Sequence, residues 1–122
     1  MTGVQTCALP ILSMIMFGEA RGEPQVGQVA VAYTAVNRKA DPHYPNNICK
    51  IMTQESQYEF VTKYGIPKEH EVKYLMPIAE AILNGRIDDP TKGAKWFHTR
   101  KVKPIWSKDK PVKLALGNHI FY

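Results

Sequence analysis

The stretch from Met14 to Gln28, MIMFGEARGEPQVGQ, decides how the chain folds. An apolar run ends abruptly in Glu19, Arg21 and Glu23, which crowd around Gly22 just ahead of Pro24. A surface helix spreads its charges along one face, whereas these sit where glycine and proline stop one helix and allow the next. The pattern predicts a first helix ending near Arg21 and a turn at Gly22, with Arg21 and Glu23 fixing that turn. Pro24 is tolerated in the first turn of a second helix. There Val26, Val29, Ala30, Tyr33 and Val36 to Asn37 recur at helical spacing through PQVGQVAVAYTAVNRK. Gly27, Ala30, Ala32 and Ala35 leave room for a neighbouring helix, so the second helix is the expected centre of the core.

Outward from this stretch, ADPHYPNN is turn-rich and offers Asn46 or Asn47 as N-cap for a short helix through ICKIMTQ. Glu55 to Lys68 is irregular, with aromatics at Tyr58, Phe60 and Tyr64. Another helical pattern, EHEVKYLMPIAEAILNG, closes at Asn84-Gly85, and Pro77 should kink or divide it. After Asp88 the period changes. AKWFHTR and GNHIFY read as short strands, joined through IWSKDKPVKLALG as a loop with one more turn. The fold class is α+β: a compact helical domain with a small antiparallel sheet near the C-terminus.

A chain of 122 residues is one domain by size. No segment reaches the roughly 20 apolar residues needed to cross a bilayer. Lys and Arg number 16 against 11 Asp and Glu, which suits a polyanionic partner: nucleic acid, a membrane surface or the bacterial envelope. The basic, aromatic stretch KGAKWFHTRKVKPIWSKDKPVK, Lys92 to Lys113, fits a groove for such a polymer or a solvated loop. The first eleven residues, MTGVQTCALPI, read as the in-frame translation of a common sequencing-library adapter. Residues 1–11 are therefore expected to be foreign, leaving 12–122 as the working domain and the natural start upstream of Leu12. On that reading Cys49 stands alone and no disulfide framework is expected. An apolar leader is disfavoured, because the segment lacks a basic start.

Glu19 falls at the carboxyl end of the first helix, where unpaired carbonyls disfavour an anion. Shielded further by aromatic rings, its carboxyl group would stay protonated to higher pH and could act as a general acid; the alternative is a capping or ion-paired carboxylate. His43, His70, His98 and His119 show no compact ligand spacing, so no metal is expected. Cys49 lies on an apolar pattern with Ile48, Ile51 and Met52, which favours a buried inert thiol over a nucleophile paired with His98 or His119. GEARGEPQVG lacks the Lys-Ser/Thr ending of a phosphate loop. Tyr58, Phe60, Tyr64, Trp96, Phe97, Trp106, Phe121 and Tyr122 exceed what a small core needs, and rings left at a groove would stack on sugars.

FGEARGEPQVGQVAVAYTAVNR, YPNNICKIMTQESQYEF, AEAILNG, DPTKGAKWFHTR and ALGNHIFY, in this order, resemble the SleB/CwlJ-type cell wall hydrolase family across Leu12 to Tyr122. The resemblance implies peptidoglycan cleavage by a single catalytic glutamate, in a fold like those of lytic transglycosylases and goose-type lysozyme. Glu19 matches the first glutamate of the family's EARGE motif. Asn37 and Arg38 match its NR pair and read as structural. The family's Gln-Phe-Ser appears as Gln57, Tyr58 and Glu59, an acid replacing the serine. The resemblance and sugar chemistry nominate Gln57, Tyr58, His119 and Tyr122 for substrate binding. They imply no cofactor, no nucleic acid and no membrane insertion, but a monomer acting on peptidoglycan glycan strands, in the envelope, outside the cell, or as a phage lysin. With Glu23 expected to turn away from Glu19, the route is lytic transglycosylation rather than two-carboxylate hydrolysis. The rivals are a non-catalytic glycan-binding or phage structural module, and a zinc amidase or cysteine peptidase cutting the peptide stem.

Overall fold

The computed structural model describes residues 7–53, 65 and 67–122. Helix α1, Ala8–Ala20, is apolar through most of its length, and its Pro10 lies in the first turn, where the missing N–H costs nothing. Leu12, Ser13, Met14, Ile15 and Met16 are all buried in succession. Five consecutive buried positions wrap right around a helix, so α1 must be enclosed on every side. It packs against α2 (Gln25–Lys39), α3 (Ile48–Thr53), α4 (Glu69–Val72) and α5 (Met76–Leu83). Helix α1 touches every other helix named here, and it shares the centre of the core with α2, the element expected there. Helix α2 buries Val29 through Ala35, while Val26, expected in its apolar stripe, stays 45% exposed.

The turn between α1 and α2 forms where expected. Arg21 leaves the helical region, Gly22 takes φ +84°, and the Glu23 amide donates to the Ala20 carbonyl at 3.0 Å. Asn47 caps α3, its Oδ1 accepting the amides of Cys49 at 2.8 Å and Lys50 at 3.3 Å. Pro77 divides the later helix as predicted: Lys73–Leu75 tightens into a 3₁₀ turn, and α5 restarts with the proline in its first turn. Cys49 is not alone. It forms a disulfide with Cys7, with Cα atoms 6.3 Å apart, which corrects the expectation of an unpaired thiol.

The sheet has three strands rather than two. Strands β1 (Phe97–Thr99), β2 (Leu114–Leu116) and β3 (His119–Phe121) lie in the order β1-β3-β2, all antiparallel. The joining segment contains the expected turn, a 3₁₀ helix over Ile105–Asp109, and also β2. Three residues are too few to show alternation. The readable signal was the hairpin, two apolar runs separated by Gly117-Asn118, with Gly117 at φ +57°.

The end of α2 is stitched to the loop that leads into β1. Asp89 accepts from the amide and hydroxyl of Thr91 at 2.8 and 2.6 Å, the Gly93 amide at 2.9 Å and the Asn37 side chain at 2.9 Å. Asn37 also donates to the Ala94 carbonyl at 2.9 Å, Arg38 Nε donates to the Lys95 carbonyl at 2.6 Å, and Lys95 pairs with Asp41 at 2.8 Å. This lattice fixes where Trp96, Phe97 and His98 emerge.

Candidate active site

An open groove of about 550 Å³ runs between the end of α1 and the C-terminal quarter. Glu19, Arg38, Trp96, Phe97, His98, Thr99, Val102, Pro104, Trp106 and Lys110 line it. Glu19 reaches it because α1 ends there, and Gly22 turns the chain away immediately afterwards. Among the described residues that line the groove, Glu19 is the one carboxylate. The opposite wall comes from the basic, aromatic stretch between Lys92 and Lys113, which thus forms one side of a groove rather than a solvated loop.

The aromatic wall is ordered by hydrogen bonds and edge contacts. His98 Nδ1 lies 2.7 Å from the Thr99 carbonyl; since a carbonyl only accepts, Nδ1 carries the proton. Its Nε2 then accepts from the Tyr122 hydroxyl, also at 2.7 Å. The two rings stack at 5.3 Å, and Trp106 meets both edge-on, at 5.8 Å from His98 and 5.3 Å from Tyr122. Lys110 Nζ sits 3.6 Å above the Trp96 ring, a cation held over an aromatic face. Flat apolar faces beside cations and polar edges match a sugar polymer with acidic substituents.

Glu23 does not face this groove with Glu19. Its Oε1 accepts the Asn118 amide at 2.9 Å and lies 3.5 Å from His119 Nδ1. Arg21 was expected to help fix the turn; its guanidinium lies over the Phe17 ring at 4.0 Å. His119 is 4% exposed. Burial holds its pKa below the ordinary histidine value, against the opposing pull of the Glu23 carboxylate and the Glu19 carbonyl.

Of the residues singled out in the sequence, the structure brings Glu19 into the groove and sets Tyr122 directly behind His98. It places His119 beside Glu23, outside the residues that line the groove. Gln57 and Tyr58, like Glu59, lie outside the described residues. Arg38, read only as structural, lines the groove as well as bracing the Lys95 carbonyl. His98 and Trp106 were not singled out as site residues; the signal was their place in a stretch dense in both cations and rings. No group of three or more His, Cys, Asp or Glu gathers into a metal-ligand set among the described residues.

A family model described as Cell Wall Hydrolase matches residues 22–122, a span that begins just after Glu19. Among curated proteins, the chain is similar to the spore cortex-lytic enzyme of Halalkalibacterium halodurans, 32% identical over 93% of this chain and 34% of that protein. It is also similar to the spore cortex-lytic enzyme of Bacillus subtilis, 30% identical over 91% of this chain and 36% of that protein. The chain thus spans about a third of the length of these relatives. Among solved structures it resembles the catalytic domain of the Bacillus cereus SleB protein, with a TM-score of 0.77 and 26% identity, covering 99% of this chain and 93% of that one. It resembles equally the catalytic domain of the germination-specific lytic transglycosylase SleB from Bacillus anthracis, with a TM-score of 0.80 and 28% identity over 99% and 98% of the two chains.

Proposed function

Since the chain belongs to the cell wall hydrolase family, we propose that it is a peptidoglycan glycosidase cutting the β-1,4 bond between N-acetylmuramic acid and N-acetylglucosamine by lytic transglycosylation. The observation that carries this reading is that, among the described residues lining the groove, Glu19 is the one carboxylate. Two-carboxylate hydrolysis needs a second acid about 5–9.5 Å from the first. Glu23, the nearest acid in sequence, is committed to the β2–β3 turn. The names of the relatives, spore cortex-lytic enzymes and a lytic transglycosylase, support the same chemistry.

In this mechanism protonated Glu19 gives its proton to the glycosidic oxygen as the bond to the muramoyl C1 breaks. The N-acetylglucosamine side leaves with a new hydroxyl. The C6 hydroxyl of the same muramoyl residue attacks C1 and returns its proton to the Glu19 carboxylate, closing a 1,6-anhydro ring without consuming water. The Trp96 and Trp106 rings stack on the sugars, while Arg38 and Lys110 face their acidic substituents. Gln57, Tyr58 and Tyr122 complete our assignment of substrate contacts, Tyr122 through its hold on His98. The enzyme acts without a cofactor, as a monomer, on glycan strands at the envelope or outside the cell. Among the described residues no helix is long and apolar enough to cross a membrane.

Mass spectrometry of fragments from purified sacculi tests the reading. Anhydro ends, lighter by one water or about 18 Da than the reducing ends a hydrolase makes, are expected. Glu19→Gln should remove activity by about 10²- to 10⁴-fold, as loss of a positioned acid/base does. Reducing ends, or undiminished release by Glu19→Gln, would refute it.

A further inference from the structure

Resting on that reading, we infer that a second recess beside the groove binds the peptide stem of the substrate, by the free amino-acid head of its diamino acid: an ammonium and a carboxylate on one carbon. The recess is an open depression of about 450 Å³, and Asn37, Asp41, Pro42, His43 and Lys95 are among the residues that line it. It shares its wall with the groove. On α2, Asn37 lines the depression and Arg38 the groove; in the segment that enters β1, Lys95 lines the depression and Trp96 the groove. Three extended residues span up to roughly 10 Å, about the spacing between packed layers of chain. The stem of a muramoyl residue seated in the groove is thus long enough to cross that wall.

The polar groups of the depression form a pair of opposite charges with an added acceptor. Asp41 Oδ2 accepts from Lys95 Nζ at 2.8 Å, and Asp41 Oδ1 accepts from the amide and the Nδ1 of His43, each at 2.8 Å. These contacts fix the carboxylate, whose side chain is 14% exposed, while Lys95 keeps 30% of its own exposed. An ammonium has three donors, and the bond to Asp41 uses one of them. Asn37 gives its two N–H donors to Asp89 and to the Ala94 carbonyl, so its Oδ1 is left to accept. A bare anion here would meet the charge of Asp41, and a bare cation that of Lys95. A ligand with both charges on one carbon gives each its complement: its carboxylate takes the spare donors of Lys95, and its ammonium donates to Asn37 Oδ1 and Asp41. In peptidoglycan that group is the distal end of a diaminopimelate side chain not joined to a neighbouring stem.

The test titrates the parent with a stem tripeptide ending in meso-diaminopimelate and follows its ¹⁵N–¹H spectrum. The amides of Asp41, His43, Gly93 and Lys95 should shift. The same tripeptide with lysine in place of diaminopimelate keeps the distal ammonium but lacks the carboxylate beside it, and should bind about 10-fold more weakly, as loss of a charged hydrogen bond implies. No shift at these amides, or equal affinity for the two tripeptides, overturns the proposal; an equal response to acetate would reduce the depression to a bare anion site and overturns it too. This comparison uses the parent alone and needs no variant to fold. In turnover, Lys95→Met should raise KM about 10-fold more on strands bearing diaminopimelate stems than on strands stripped of peptide, and an equal change on both would show that Lys95 serves only the wall. A parent inactive on peptidoglycan removes the glycosidase reading, and the tripeptide titration then decides the subsite alone.

Discussion

Asp89 shows how much one buried acceptor organises. Burial, the largest single influence on it, raises its pKa, but the hydrogen bonds from Thr91, Asn37 and Gly93 together outweigh that and leave it below the ordinary carboxylate value. A carboxylate with a depressed folded pKa contributes stability that is present above its unfolded pKa, about 3.9, and is lost as pH falls through the folded value. The parent's melting temperature should therefore decline below about pH 4. Asp89→Asn should start lower at neutral pH, because its amide nitrogen faces donors, and it should lose less on acidification; identical acid limbs in both proteins would show that Asp89 does not govern this window. Glu19 and Asp89 were unequally visible in the sequence. Glu19 stood in a stop signal and a motif, whereas Asp89 was one acid among several in a turn, and the partner that ties it to the core, Asn37, comes from α2, 52 residues away. The same holds for His119 and Tyr122. Read as neighbours at a chain end, they lie on opposite faces of the sheet, because His119 pairs with Thr99 in the layer of Phe121 while Tyr122 continues the face of His98.

At the scale of elements, sequence pattern located the helices well but did not show that α1 touches all of the others. Both α1 and α2 are strongly apolar, but α2 carries Gln25, Gln28, Asn37, Arg38 and Lys39 toward its ends while α1 shows almost no polar residue before Glu19. A helix without a polar side needs neighbours all round, and that criterion identifies α1 as the hub. Strand β2 was missed because its existence depends on a partner: it pairs with β3 through Leu114–Phe121, Ala115–Ile120 and Leu116–His119. Helix α3 is the opposite case, set by a local signal. It is only six residues long, too short to stand without help, and Asn47 satisfies two of its first amides. Asn47→Ala should destabilise the protein by roughly 1 kcal/mol and Asn47→Asp by far less, measured by chemical denaturation. Equal losses for the two would mean that the cap hydrogen bonds are not what holds α3.

For the molecule as a whole, the Cys7–Cys49 bridge joins the start of α1 to α3 across a sequence separation of 42. Constraining an unfolded chain over such a loop stabilises by on the order of 3–4 kcal/mol in the loop-entropy description. Reduction should lower the melting temperature accordingly, and a Cys49→Ser protein should melt with the reduced form; an unchanged melting temperature under reductant would show that the bridge bears none of the stability. We also propose that residues 1–11 are foreign to the natural protein, in which case Ala8 to Ile11 supply the opening turn of α1 in place of the natural residues. An uninterrupted genomic read containing the same codons would remove that proposal.

The resemblance around the EARGE motif nominated Glu19 as the candidate acid, and the sequence by itself determined what depends on neighbours along the chain: where α1 stops, where α2 starts, the caps and breaks at Asn47 and Pro77, and the α+β class. These follow from backbone freedom, capping and periodicity, which act within a few residues. Only the tertiary structure decided that α1 is the hub, that Arg38, His98 and Trp106 share a groove with Glu19, and that Glu23 binds a turn instead of joining the groove. Those outcomes rest on contacts between residues such as Glu23 and Asn118, 95 positions apart. No local preference encodes such a contact, because it exists only once the helices have packed and the pleat of the sheet has chosen which side chains face one another.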